Sequence, residues 1–191
     1  MAPSAESPIS GWLVPPVPIL IVGTAWNMMD DFLRARNRLE GIPHRVWGIN
    51  RTCQFIATDF NFTLDRDNAS YWKSVAINKD AIWASAQPGA TRRLEDYPWI
   101  DLWLSWLAGS GTSAWAACKY ALETGDNEVI LCGVPLEPGP YADGVIGRSF
   151  DGMTGTLNKF RQIIVEQSKS LDVSRVRSMS GWTKEFFGEF K

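Results

Sequence analysis

The chain has 191 residues, 45% hydrophobic and 21% charged, with a net charge of −2. That length suits one domain able to bury roughly 70% of its unfolded surface, and the charge leaves no basic footprint for duplex nucleic acid. A single histidine, His44, excludes a His-based triad or a multi-histidine metal site, and three cysteines without a C-x-x-C pair read as buried free thiols of a cytoplasmic protein.

Residues 1–17 are rich in Pro and Ser and predict a loose lead-in; a single domain is expected over 18–191. The early apolar run WLVPPVPILIVG (12–23) is short and broken by three prolines, so no membrane span and no signal peptide are expected. PILIVG (18–23) is a β-branched run closed by Gly, the pattern of a strand buried on both faces. TAWNMMDDFLRARNRLEG (24–41) predicts a helix with Met29, Phe32, Leu33 and Leu39 inward and Gly41 as its stop. HRVWGIN (44–50) predicts a second strand. A β-α-β unit of this kind gives parallel strands with a right-handed crossover. FIATDF (55–60) and DAIWASAQ (80–87) predict a third and a fourth strand, with a loop and a short helix between them.

PWIDLWLSWLAG (98–109) spaces Trp99, Trp103 and Trp106 by four and three, which predicts a helix that is buried or forms a homo-oligomer interface. SAWAACKYALETG predicts a small-residue helix, and EVILCG (128–133) another doubly buried strand. A long Gly- and Pro-rich loop (134–152) follows. After it come a helix (154–171), a strand (174–180) and a terminal helix (183–190). The alternation predicts an α/β protein, a Rossmann-like three-layer sandwich with a mostly parallel sheet.

Such a sheet binds ligands beyond the carboxyl ends of its strands, at the topological switch point. Those ends are Gly23 and Thr24 after the first strand, Asn50 and Arg51 after the second, Asp59 at the end of the third, and Gly133 after the later core strand. GSGTSA (109–114) fits G-x-G-x-x-G/A, but it does not follow a strand directly, so a flexible loop with a Ser/Thr helix cap is an equal reading. No G-x-x-x-x-G-K-[ST] and no G-x-S-x-G occurs, which removes P-loop and nucleophile-elbow chemistry. Asp59, Asp65 and Asp67 cluster within nine positions, and Asp143 and Asp151 lie in the long loop. Mg2+ would take one or two such carboxylates together with phosphate oxygens, with solvated loop carboxylates as the alternative.

The order ILIVG-x-x-x-N, GIN-R-T, TD, GSGTSA and EVILCGV resembles a Rossmann-like superfamily. It contains the 6-hydroxymethylpterin pyrophosphokinase-like proteins and the single-domain bacterial sialyltransferases. The resemblance covers residues 18 to 136; SRVRSMSGWTKEFFG is similar to the closing strand and short helix of that group, and RVRSMSGWTKEFFG also looks like uncharacterised phage-encoded members. It implies a nucleotide site in which Gly23 and Asn27 face phosphate or ribose and Asn50 binds the phosphate or sugar region. Ser110, Gly111, Thr112 and Ser113 would hold ribose or base, and Gly133 would let the ligand approach the backbone. The chain departs from the group in two places. It has no histidine after His44, and Pro135 stands where the group has Asp. Two functions are therefore expected as alternatives. One is a glycosyl, phosphoryl or pyrophosphoryl transferase using a nucleotide or nucleotide-sugar donor, with Asp59 as base, Asp59 and Asp65 as metal ligands for Mg2+, and Arg51 on phosphate. The other is a non-catalytic nucleotide-binding or interaction protein.

Overall fold

The computed structural model describes residues 16–87, 93–107, 109–125, 128–140 and 154–191. Seven strands form one sheet in the order β5-β4-β3-β2-β1-β6-β7: β1 Ile19–Val22, β2 Arg45–Ile49, β3 Phe60–Phe62, β4 Ile82–Ala86, β5 Leu102–Leu104, β6 Val129–Cys132 and β7 Val176–Ser178. Every pairing between these strands is parallel. The α/β sandwich read from the sequence is the fold observed.

Among the described residues five α-helices cover the sheet: α1 Met28–Arg38, α2 Arg66–Val75, α3 Ser113–Glu123, α4 Thr154–Ser168 and α5 Gly181–Phe187. The central strands β1 and β6 are apolar at all eight positions because both faces are covered, and all eight side chains are buried. On one face Leu20, Val22, Ile130 and Cys132 pack under α1 through Met28, Phe32, Ala35 and Leu39. Cys53, Ala69, Trp72, Trp83 and Tyr97 continue that layer beneath α2. On the other face Ile19, Ile21, Trp47, Phe60 and Phe62 meet the small-residue surface of α3 and the inner sides of α4 and α5. The three cysteines are free and buried as expected. Burial pushes the Cys53 thiol up to about 12 and raises those of Cys118 and Cys132 as well.

Three local expectations are corrected. FIATDF is not a strand. Residues 50–54 form a 3-10 turn, and β3 begins at Phe60. The Trp-rich segment 98–109 is not a helix but the edge strand β5 followed by a 3-10 turn at 105–107. Trp99 and Trp103 pack edge-on around Tyr97 at 5.8 and 6.0 Å instead of forming a helical interface stripe. On α1, Met29 and Leu33 point outward, while Met28, Asp31, Phe32 and Ala35 are the buried face. Asp143 and Asp151 lie outside the described residues.

Candidate functional site

Strand order locates the site. The chain runs outward from β1 to β5, then returns to place β6 on the other side of β1. The loops after β1 and β6 therefore leave in opposite directions and open a crevice between them. A cleft of about 110 Å³ lies there, bordered by Gly23, Thr24, Asn50, Thr112, Ser113 and Gly133, with Ile49, Leu136, Glu137 and Phe160 among its other walls. That space holds roughly three or four waters, enough for one ring or one phosphate group. Among the described residues no Lys or Arg is on its walls, and Glu137 is its one carboxylate.

The loops meet closely. Gly23 N–H donates to the Cys132 carbonyl at 2.8 Å, and Ala25 N–H to the Gly133 carbonyl at 3.3 Å. A Cβ on Gly23 would stand 2.4 Å from the Gly133 oxygen, and one on Gly133 2.7 Å from the Met28 Cα. Both glycines therefore serve the contact between the two loops. Gly133 also lines the cleft, so this packing reason stands beside the expected role for its backbone.

Among the described residues two non-glycine residues have left-handed backbones, Asn50 (φ 54°) and Leu136 (φ 50°), and both line the cleft. Asn tolerates this conformation; for Leu it is a genuine outlier of the kind that gathers at binding sites. Arg161 on α4 holds the strained turn, donating from Nε (3.1 Å) and Nη2 (2.7 Å) to the Leu136 carbonyl. The Asn50 Oδ1 is enclosed and has no hydrogen-bond partner among the described residues.

The third wall is the start of α3. Thr112 is its N-cap, the Oγ1 accepting the Trp115 N–H at 3.1 Å. Ser113 Oγ accepts the Leu64 N–H at 3.0 Å, which ties the helix to the loop after β3. Both hydroxyls keep a proton to donate. The GSGTSA motif is therefore a capped helix start, and its last residues reach the cleft. Its first ones do not. Ser110 is buried and donates to the Leu107 carbonyl at 2.7 Å while accepting from Lys119 Nζ at 3.3 Å. Gly111 sits beneath Phe160 and Ile163 of α4.

The remaining sequence candidates lie elsewhere. Asn27 is buried, with its Nδ2 on Asp31 and Ser180. Arg51 is in the 3-10 turn and is not a cleft wall. Asp59 precedes β3 instead of ending it. Its carboxylate accepts the Val46 N–H at 2.8 Å, level with the start of β2. Val46 is four residues before Asn50, about 13 Å at the strand rise, so Asp59 is at the wrong edge of the sheet to act as base in the cleft. Asp65 stands past the other end of β3 and accepts from Asn68 Nδ2 at 2.8 Å. The two carboxylates cannot share one ion, and no group of three potential metal ligands occurs among the described residues. The donor set does not fit the expected Mg2+ site.

Sequence reasoning missed Asp31, which is 1% exposed and accepts the N–H of the cleft residue Gly133 at 3.0 Å. Burial pushes its carboxyl above the ordinary range, against the lowering effect of hydrogen bonds from Ser180 and Gly133 and of the Arg34 charge. Its position was available: residue 31 falls three after Met28 and four before Ala35, on the inward stripe. Beside the cleft, an open groove of about 530 Å³ runs past Lys159, Arg161 and Trp182. It lies along α4 and away from the strand ends, so the enclosed cleft is the better candidate.

No family model, curated protein or solved structure matches this chain. Among the described residues no helix is long and apolar enough to cross a membrane.

Proposed function

We propose that the protein binds a nucleotide or nucleotide-sugar in the switch-point cleft, as a transferase of the kind its motifs resemble. The observation that carries the reading is convergence. Residues 23, 24, 50, 112, 113 and 133, named from strand ends and a helix start far apart in sequence, border one cleft. The small volume suits one part of such a ligand, a ribose or a phosphate, with the remainder outside. With no cation on the walls among the described residues, the α3 N-terminus would meet a phosphate through its first-turn amides and the Thr112 and Ser113 hydroxyls. Phe160 offers an apolar surface to a ring, and Glu137 is the carboxylate within reach of an acceptor hydroxyl.

A second reading, binding without catalysis, is favoured by one observation: Asp59, the expected base, is at the far edge of the sheet. Thermal-shift screening against CMP, UDP, ADP and their sugar conjugates, with and without Mg2+, tests the shared premise; stabilisation by at least one is expected, and none would contradict both readings. Turnover of the stabilising compound, lost in Glu137→Gln, supports the transferase. Binding with no turnover in either form leaves the protein a binder.

A further inference from the structure

We propose that Asp31 is the positioning residue of this cleft, its single buried carboxylate holding together the three loops that leave β1, β6 and β7. The inference rests on the cleft being the ligand site. Asp31 Oδ2 accepts from Asn27 Nδ2 at 3.1 Å, from the Gly133 N–H at 3.0 Å and from Ser180 Oγ at 2.5 Å. Asn27 belongs to the loop after β1, Gly133 to the turn after β6, and Ser180 to the segment after β7. Asn27 Nδ2 also reaches Ser180 Oγ at 2.5 Å, which closes the network. One oxygen atom thus sets the relative positions of these three segments, and those after β1 and β6 bound the crevice. Gly133, whose amide it holds, is itself a cleft wall.

The charged surroundings are sparse. Arg34 on the same helix stands 3.9 Å from Oδ1, is half-exposed and is shared with Glu189 at 3.7 Å. Asp30 is the adjacent carboxylate, and the Cys132 thiol faces Asp31 from β6. Arg38 lies farther along, also on Glu189. Burial outweighs the donors and raises the Asp31 pKa. The neutral form therefore favours folding: its stabilisation is fully present below the ordinary carboxyl value of 3.8 and is lost as pH rises through the folded value. Acidification protonates Asp31 inside an intact fold and weakens its hold on the Gly133 amide, because a charged acceptor binds N–H more strongly than a neutral one.

The experiment follows the Gly133 amide resonance of the 15N-labelled full chain from about pH 7.5 to about pH 4. A titration with its midpoint above 3.8 is expected in the wild type and none in Asp31→Asn. In Ser180→Ala, which removes a bond that lowers the pKa, the midpoint should move up. A flat wild-type resonance, the same titration in Asp31→Asn, or an unmoved midpoint in Ser180→Ala overturns the proposal. CMP and ADP affinity should fall roughly tenfold in Asp31→Asn at neutral pH, and in the wild type as pH passes the midpoint. Unchanged affinity would overturn the positioning role. If neither nucleotide binds at any pH, the nucleotide reading fails, while the Gly133 resonance still decides the latch.

Discussion

Gly23 and Gly133 line the crevice where each backbone is packed against the other loop. Gly133 combines φ of 62° with a Cβ position 2.7 Å from the Met28 backbone. Gly133→Ala therefore meets both a left-handed backbone and a clash that no rotamer relieves. We expect it to lower unfolding free energy by about 2–3 kcal/mol, read from the urea midpoint at constant slope. Asn50 has the opposite character. Its backbone suits glycine equally well, so Asn50→Gly removes the amide without strain. That makes it a clean probe of what the enclosed Oδ1 does.

Local pattern and tertiary context diverge most clearly in the elements. The strands β1, β2 and β6 were legible because β-branched runs ending in Gly or Gly-Ile-Asn have few other uses in a buried position. Helix α3 was legible through its Thr112 cap and its row of small residues. Thr112→Ala removes the cap bond to Trp115 and should cost about 1 kcal/mol in denaturant unfolding while leaving the helix content unchanged. The segment 98–109 was misread because tryptophans at spacings of four and three imitate helical period in what is a three-residue edge strand running into a 3-10 turn. Asp59 was misplaced by the same ambiguity. FIATDF (55–60) imitates a strand, but it follows the 3-10 turn 50–54, whose Cys53 thiol donates to the Trp72 carbonyl of α2, and only its last residue, Phe60, enters β3. Asp31 is hard to single out in the sequence because an acidic residue in a first helical turn has a sufficient explanation in the macrodipole. Its inward position shows that it does more.

For the whole molecule, strand order does what no single motif could. The parallel alternation implied a switch point, but only the return of β6 to the side of β1 fixed which loops face each other. Six of the sequence candidates meet there, while Asp59, Asp65, Arg51 and Ser110 are kept away by the sheet edge, the turn and the α3 loop. The same architecture seals Asp31 between three loops, so its ionisation is coupled to global stability. Above its folded pKa the wild type has lost the stabilisation that the neutral carboxyl gives. Asp31→Asn should therefore be no less stable than wild type at neutral pH, and its melting temperature should lack the wild type's rise on acidification toward 3.8. Calorimetric scans across that window check this.

The central claim is that the crevice between the β1 and β6 loops grips a nucleotide. Isothermal titration of CMP, UDP and ADP into wild type and Asn50→Gly tests it most directly. The account predicts saturable one-site binding of at least one of them by the wild type, weakened roughly tenfold in the variant at unchanged melting temperature. No heat beyond dilution for any of the three, or equal affinity in both proteins, would contradict it.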